Sequence, residues 1–520
     1  MAIRFRPDEQ PSNNNNPRGG GNRGGGNNSR VIMAVLLFAF RYPKIGIPLV
    51  VIGGLVYFFM GGFSGNSPAP QNQEQRYSMG GNIDPDRYKQ YKVFAALSSA
   101  SPKYNLPKSV SLRPFAPTPR NQGQQGSCVG WASAYAARTI LEAVRTDQDP
   151  NQLAYSPSFL YNQIGVPNCQ GAFTGEALEH MKTKGLLEFS KFSYNPNSCS
   201  KKPTSQELRS ALGHRIKGYN RLTKTGRNYD VDLEAVKQNI AQGAPVVIAA
   251  KVPNSFQNMM GKKLWRPTNA ERGRVDKLGG HAMCLIGYDD NQGVFEIQNS
   301  WGTAWGDNGF VFVKYEDFKI FCREAYGIFP EQRASTKAAT EIAIECGIYS
   351  PDRKSGFELR QIRGNLFETT SPIKKGTPFK VEITNSLECF TYVFSKEVDK
   401  GGRQGAAIKV FPPSNQYSAY LGIVGTRLFP REGVLEADNE GNRDYMAIVY
   451  SKKELNPDQI RQRIDQAGQG DFYANVMAAL GNRAFGNLSY TKKSGNSIAF
   501  RQSISATQDI AVVVIAMDKQ

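Results

Sequence analysis

Apolar residues recur with different spacings along the chain, and each spacing predicts a different kind of element. Residues 45–63 form an apolar run of nineteen without a charge. At about 1.5 Å per residue such a helix spans the roughly 30 Å core of a bilayer, so one transmembrane helix is expected. The shorter apolar stretch 31–40, cut off by Arg41-Tyr42-Pro43-Lys44, either extends that helix or lies in the interface. The segment after Cys128 is Ala-rich, with Trp131, Tyr135, Ile140, Leu141 and Val144 apolar, and predicts a largely buried helix. Gly126-Ser127 suits a turn and an N-cap, which puts Cys128 in the first turn. Two apolar runs, 282–288 and 294–299, flank Asp289-Asp290-Asn291-Gln292-Gly293 and predict adjacent antiparallel strands. Beyond 343 the pattern predicts strands at 379–384, 390–394, 407–411, 445–450 and 510–516, with helices near 457–467 and 474–480.

Polar stretches divide these elements into units, and 520 residues exceed one typical domain. Residues 1–30, with Asn13 to Asn16 and a Gly-rich tract from Arg18, have nothing to build a core from and are expected to be a disordered tail. Residues 1–44 carry seven Arg/Lys against Asp8 and Glu9, which keeps that side cytoplasmic and exports everything after residue 64. The run is longer than a usual signal-peptide core, and Gly61-Gly62-Phe63-Ser64 is not a clear cleavage site. An uncleaved anchor over 31–63 is therefore favoured over a cleaved signal. Residues 64–105 read as a Pro/Ser/Gln-rich tether, 106–330 as a compact unit, and 331–340 as a polar connection. A β-rich domain is expected over 343–520. The net charge of +19 is spread along the chain and reads as a solvated basic surface. The Arg-Gly tract is compatible with RNA, but a flexible tail is the simpler reading, and no nucleic-acid partner is expected.

The chemistry concentrates in two distant segments. There are only three histidines, and H-E-x-x-H is absent, so a His-rich zinc site is not expected and no metal or cofactor is called for. Cys128 at a helix start has a reason to be there, since the partial positive charge favours the thiolate nucleophile. His281 opens the first apolar strand and Asn299 closes the second, which brings a base next to a group that fixes its tautomer. Gln122 offers a side-chain N–H to an oxyanion, alongside the backbone N–H of Cys128. His180 and His214 read as solvated or structural. Of seven cysteines, six remain once Cys128 is set aside, which permits disulfides without demanding them.

At these residues the chain resembles the papain family of cysteine peptidases. Gly126-Ser127-Cys128 matches part of the C-G-[SA]-C-[WY] signature, and His281 and Asn299 follow the cysteine by 153 and 171 residues. Gln122 lies six residues before the cysteine, where the family has its oxyanion glutamine. Asn299-Ser-Trp-Gly-x-x-Trp-Gly is the most specific stretch, and Leu106-Pro107 resembles the start of a mature domain. The resemblance covers about 106–330. It implies an α+β fold in two lobes, a helical one carrying Cys128 and a β-barrel-like one carrying His281 and Asn299, with the cleft between. It also implies that Trp301 shields the Asn–His contact and that Cys169 pairs with Cys199, in keeping with export.

Gln125 stands where the family has a cysteine, so the family's first disulfide should be absent. Val129 replaces the aromatic after the nucleophile, with Trp131 two positions on, as in bacterial members. The characteristic inhibitory pro-segment is not evident in 64–105. Residues 343–520 weakly resemble an uncharacterised bacterial β domain, for which binding or positioning is expected. The chain thus reads as a membrane-anchored, exported cysteine endopeptidase acting on a peptide or protein substrate, periplasmic or extracellular. The competing readings are a peptidase-like binding protein, or a transpeptidase or exopeptidase on the same site. All four of Cys128, His281, Asn299 and Gln122 being intact argues against binding alone. The sequence does not set the substrate or the oligomeric state.

Overall fold

The two apolar runs around residue 290 do form adjacent antiparallel strands, Gly279–Asp289 and Val294–Gln298, with Cys284 opposite Gln298. In the computed structural model, which describes residues 4–6, 77–224, 230–331, 337–399, 401, 403–468 and 470–520, they sit inside an eight-stranded sheet. Its order is Ile216–Arg221, Cys322–Pro330, Val246–Val252, Gly279–Asp289, Val294–Gln298, Phe310–Lys314 and Leu264–Trp265, and Ser109–Ser111 pairs with Gly279–Asp289. The expected span at 45–63 and all of 7–76 lie outside the described residues. Among the described residues no helix is long and apolar enough to cross a membrane.

Against this sheet packs the helix that starts at Cys128. It opens with an α turn, Cys128–Gly130, widens over Trp131–Arg138, and returns to α over Thr139–Thr146. All of Trp131–Arg138 is buried, which is why small Ala residues recur there. Helices Pro157–Ile164 and Thr174–Thr183 pack beside it in one hydrophobic core. Cys169 and Cys199 form a disulfide.

The C-terminal region is built from two further sheets. One has the order Arg4–Arg6, Val434–Glu436, Pro378–Asn385, Glu341–Ser350, Ile498–Ser503 and Tyr490–Lys492. The other runs Leu359–Arg363, Leu366–Thr369, Ile510–Asp518, Arg443–Ser451, Cys389–Val398 and Ile408–Phe411. Residues alternate between the two faces of a strand. Accordingly Ile448, Val513 and Ile515 face a core shared with Ile344, Val381 and Ile383 of the first sheet. Val449, Val512 and Val514 face helices Pro457–Gln466 and Phe472–Leu480 through Ile460, Ile464 and Val476. A strand covered on both faces reads as a continuous apolar run, as 510–516 does. Arg4–Arg6 pairs antiparallel with Val434–Glu436, where a disordered tail was expected.

The expected tether at 64–105 is corrected over its second half. Gly81–Asn82 pairs in parallel with Ala172–Phe173. Asp84 caps the helix Pro85–Gln90 by accepting from the Asp86 and Arg87 amides at 2.9 and 3.2 Å. Tyr88 of that helix is buried, as are Val93, Phe94, Ala95, Ala96 and Leu97. The physical reason is long-range backbone pairing, which composition does not display. Beneath this segment lies Glu324, buried, receiving the Tyr326 hydroxyl at 3.1 Å and the Asp84 N–H.

Both faces of the central C-terminal strands should be sensitive to truncation. Ile448→Ala and Ile464→Ala are each expected to cost about 2–5 kcal/mol in urea unfolding; a near-neutral Ile464→Ala would mean the helices do not pack on the sheet. A second expectation concerns pH. Burial raises Glu324 from 4.5 to about 7 against the pull of its donors, with the Asp84 carboxylate adding to the rise. Its neighbours Tyr88 and Tyr91 come from the covering segment, and Tyr326 and Cys322 from its own strand. The covered state therefore favours the neutral acid. Its stability is full below about 4.5 and is lost as pH rises through about 7. Limited proteolysis of 77–98 should become easier over that window, and Glu324→Gln should flatten the dependence.

Candidate active site

Strand order and register bring the distant segments together. Cys128 Sγ accepts the amide N–H of Ala282 at 3.4 Å, next to His281 on the same strand. His281 Nε2 lies 2.7 Å from Asn299 Oδ1. An amide oxygen only accepts, so Nε2 carries the proton, and the lone pair is left on Nδ1, which is buried and has no hydrogen-bond partner among the described residues. Trp301 stacks on the imidazole with centroids 4.4 Å apart, and Trp305 meets Trp301 edge-on. This covers the ring that must keep one orientation.

Gln122 is held from several sides. Its backbone N–H donates to Ser300 O at 2.9 Å, and its Oε1 accepts from Ser300 Oγ at 2.6 Å. With Oε1 occupied, Nε2 is turned outward and donates to Gln125 O at 2.8 Å and Ser78 O at 3.2 Å. Ser127 stands at the N-cap position, but its hydroxyl does not cap the helix. Instead it lies 2.7 Å from Tyr194 OH, which donates to Gln122 O at 2.7 Å. Tyr194 thus ties the glutamine loop to the cysteine helix. Gln125 reaches Asn195 O through Nε2 at 3.2 Å, beside the same turn.

The sequence reading missed what lies in the cleft. Tyr77 stacks on Trp301 at 4.7 Å, and Trp301 Nε1 donates to Ser78 O at 3.2 Å. The N–H of Gly80 is directed at Cys128 Sγ. Ala172 N–H donates to Gly80 O at 2.9 Å. A Cβ on Gly80 would collide with the carbonyl of Gly126, and one on Gly280 with the carbonyl of Gly81. The glycines let three backbones pass at van der Waals distance. The Gly80-Gly81 pair is the sequence signal of this close approach, within a stretch whose composition reads as a tether. The characteristic pro-segment is not evident in 64–105, yet the segment 77–82 covers the cysteine. It presents an N–H to the sulfur rather than a carbonyl carbon, so the nucleophile faces no electrophile.

Covering sets the electrostatics. Burial pushes the Cys128 thiol up to about 11, against the pull of the N–H groups of Ala282, Gly80 and Val129. Burial also drives His281 down to about 4, opposed by its bond to Asn299. In this state burial disfavours the charged form of each group, working against the thiolate that the helix start favours. His180 is likewise lowered to about 4 by burial, and His214 meets Tyr155 OH at 3.1 Å. Among the described residues, Glu397, Asp438 and Glu440 form a carboxylate group close enough to share a cation. It lies in the C-terminal region, and Lys519 Nζ already sits 2.8 Å from Asp438.

Residues 106–327 match the papain family of cysteine proteases. The chain is 28% identical over 238 residues to an uncharacterised peptidase C1-like protein of Acanthamoeba polyphaga mimivirus, covering 44% of this chain and 75% of that protein. It is 29% identical over 220 residues to a cysteine protease of Blomia tropicalis, covering 40% of this chain and 62% of that one. Cathepsin K of Mus musculus is 24% identical over 217 residues, 40% of this chain and 60% of its own length. The chain therefore spans about three fifths of the last two. Among solved structures, xylellain, a cysteine protease from Xylella fastidiosa, aligns with 24% identity and a TM-score of 0.41, covering 49% of this chain and 96% of that one. The family match leaves the C-terminal region unassigned. Residues 106–327 are a papain-family cysteine peptidase domain.

Proposed function

We propose that the chain is an endopeptidase that hydrolyses peptide bonds through Cys128, His281, Asn299 and Gln122 once residues 77–82 leave the cleft. The observation that carries this is the 2.7 Å bond from His281 Nε2 to Asn299 Oδ1. It leaves the Nδ1 lone pair without a partner among the described residues, one position from Ala282, whose N–H donates to Cys128 Sγ. Sγ attacks the carbonyl carbon as its proton passes to Nδ1. The oxyanion is received by Gln122 Nε2–H and the Cys128 backbone N–H. The imidazolium then protonates the leaving amine, and the imidazole activates water to release the acid from the thioester.

The internal segment supports two details. The Ser78 carbonyl accepts from Gln122 Nε2, the donor the oxyanion needs. The segment also continues past Cys128 in both directions, from Trp301 on one side to Ala172–Phe173 on the other. A cleft that admits a through-running chain favours internal cleavage over trimming of ends.

Cys128→Ala is expected to abolish peptide hydrolysis and labelling by an epoxide; retained labelling of the variant would refute the assignment. Gln122→Ala should lower kcat by about 10²–10³-fold with KM little changed. Asn299→Ala should lower it by freeing the imidazole to rotate.

The apolar run 45–63 supports an anchored, exported enzyme, as does the Cys169–Cys199 bridge. A single span would part residues 4–6 from the protease, whereas their pairing with Val434–Glu436 needs both on one side. The anchored form is therefore expected to lack that pairing. Carbonate extraction should leave the full chain in the membrane, with 77–520 open to added protease on the outer side; release by carbonate would exclude the anchor.

A further inference from the structure

Residues 92–98 lie between the two parts of the molecule and bond alternately to each. Lys92 O accepts from Arg221 N–H, and Phe94 N–H donates to Arg221 O, both at 3.0 Å and both on the edge strand of the protease sheet. Val93 and Ser98 turn the other way. Val93 N–H donates to Gln416 O at 2.7 Å, its carbonyl accepts from Ser418 N–H at 2.9 Å, and Ser98 N–H donates to Thr426 O at 2.9 Å. The side chains divide similarly. Phe94, Ala96 and Leu97 join the protease core, and Ala95 joins the C-terminal core.

Two arginines mark this seam. Arg427 of the C-terminal region is buried and donates through Nε to Ala95 O at 2.7 Å. Its other donors go to Asn385 Oδ1 at 2.7 Å and Ile423 O at 3.0 Å. These partners are neutral, and burial without a counter-ion draws Arg427 down to about 9. Each carbonyl it holds therefore matters to keeping the charge inside. Arg221 is fully buried, and its guanidinium has no hydrogen-bond partner among the described residues; the Tyr88 ring lies 5.6 Å away. A cation buried without a partner among the described residues favours an opening that hydrates it. The segment is thus placed over a group that works against closure, and the C-terminal bonds work for it.

We infer that the C-terminal β region is the latch of this protease: by holding Val93, Ala95 and Ser98 it keeps residues 77–82 over Cys128, and loosening that seam uncovers the cleft. This rests on the peptidase reading above and adds a role for the region the family match leaves unassigned. Between Gly80 and Val93 the chain runs through one short capped helix, so order at 93–98 is passed to the cleft.

The test uses the full chain and the rate of Cys128 labelling by an epoxide. Arg427→Met removes the guanidinium and keeps the stem; it should label about 10-fold faster or more than the unsubstituted protein. Gly80→Val, which ejects the segment directly, sets the fully uncovered rate. Arg427→Met at the unsubstituted rate beside a fast Gly80→Val overturns the latch and leaves the peptidase intact. Failure of Gly80→Val to label at all overturns both. Hydrogen exchange on the unsubstituted chain needs no variant to fold. The amides of Val93 and Ser98 should exchange in the same opening event as those of Gly80 and Gly81. Exchange at the cleft while Val93 and Ser98 stay protected would also overturn the latch.

Discussion

The hydrogen bond between His281 and Asn299 is the constraint on which the site depends, because it converts strand register into chemistry. The two residues end neighbouring strands, so the bond exists only if Gly279–Asp289 and Val294–Gln298 pair in the observed register. A slip by one residue would turn every side chain to the opposite face. The same register presents the Ala282 N–H to Cys128 and lets Ser300, one step past the asparagine, fix the amide of Gln122. His281, Cys128 and Gln122 are thus positioned around one strand pair.

That precision carries a cost in desolvation. The thiol and the imidazole are both buried, and burial works against the charged form of each. The segment across the cleft bonds to Gln122, Trp301 and Ala172, yet in a register that offers the Cys128 sulfur only an N–H. Water returning to the cleft would relieve the penalty on both charged forms, allowing the proton to move from sulfur to nitrogen. Uncovering would therefore change the protonation of Cys128 and His281 as well as access to them.

How much of this could be read from the chain differs by element. Strands such as Ile510–Asp518 were legible because burial on both faces leaves an apolar run. Cys128, His281, Asn299 and Gln122 were legible because thiol chemistry needs those groups together and histidines are scarce. Ser300 and Tyr194 were not, since a buried serine and tyrosine have many structural uses. The segment 77–98 was not legible because its order comes from partners distant in sequence, such as Gln122, Ala172 and Glu324. Its Gly and Pro content looks the same in a tether as in a close backbone crossing. Ser127 was read as a cap, and only the approach of Tyr194 shows where its hydroxyl goes.

The burial of Cys128 has a chemical consequence for the lifetime of the enzyme. Oxidation and mispairing proceed through the thiolate. Burial pushes the Cys128 thiol up to about 11, which disfavours the thiolate at pH 7, and the sulfur is shut away from solvent. The free cysteines Cys284, Cys322, Cys346 and Cys389 are buried as well, while Cys169 and Cys199 are already joined. Every sulfhydryl among the described residues is therefore either spent or shielded. Shielding of this kind would keep the Cys128 thiol from oxidation for as long as the covered arrangement holds.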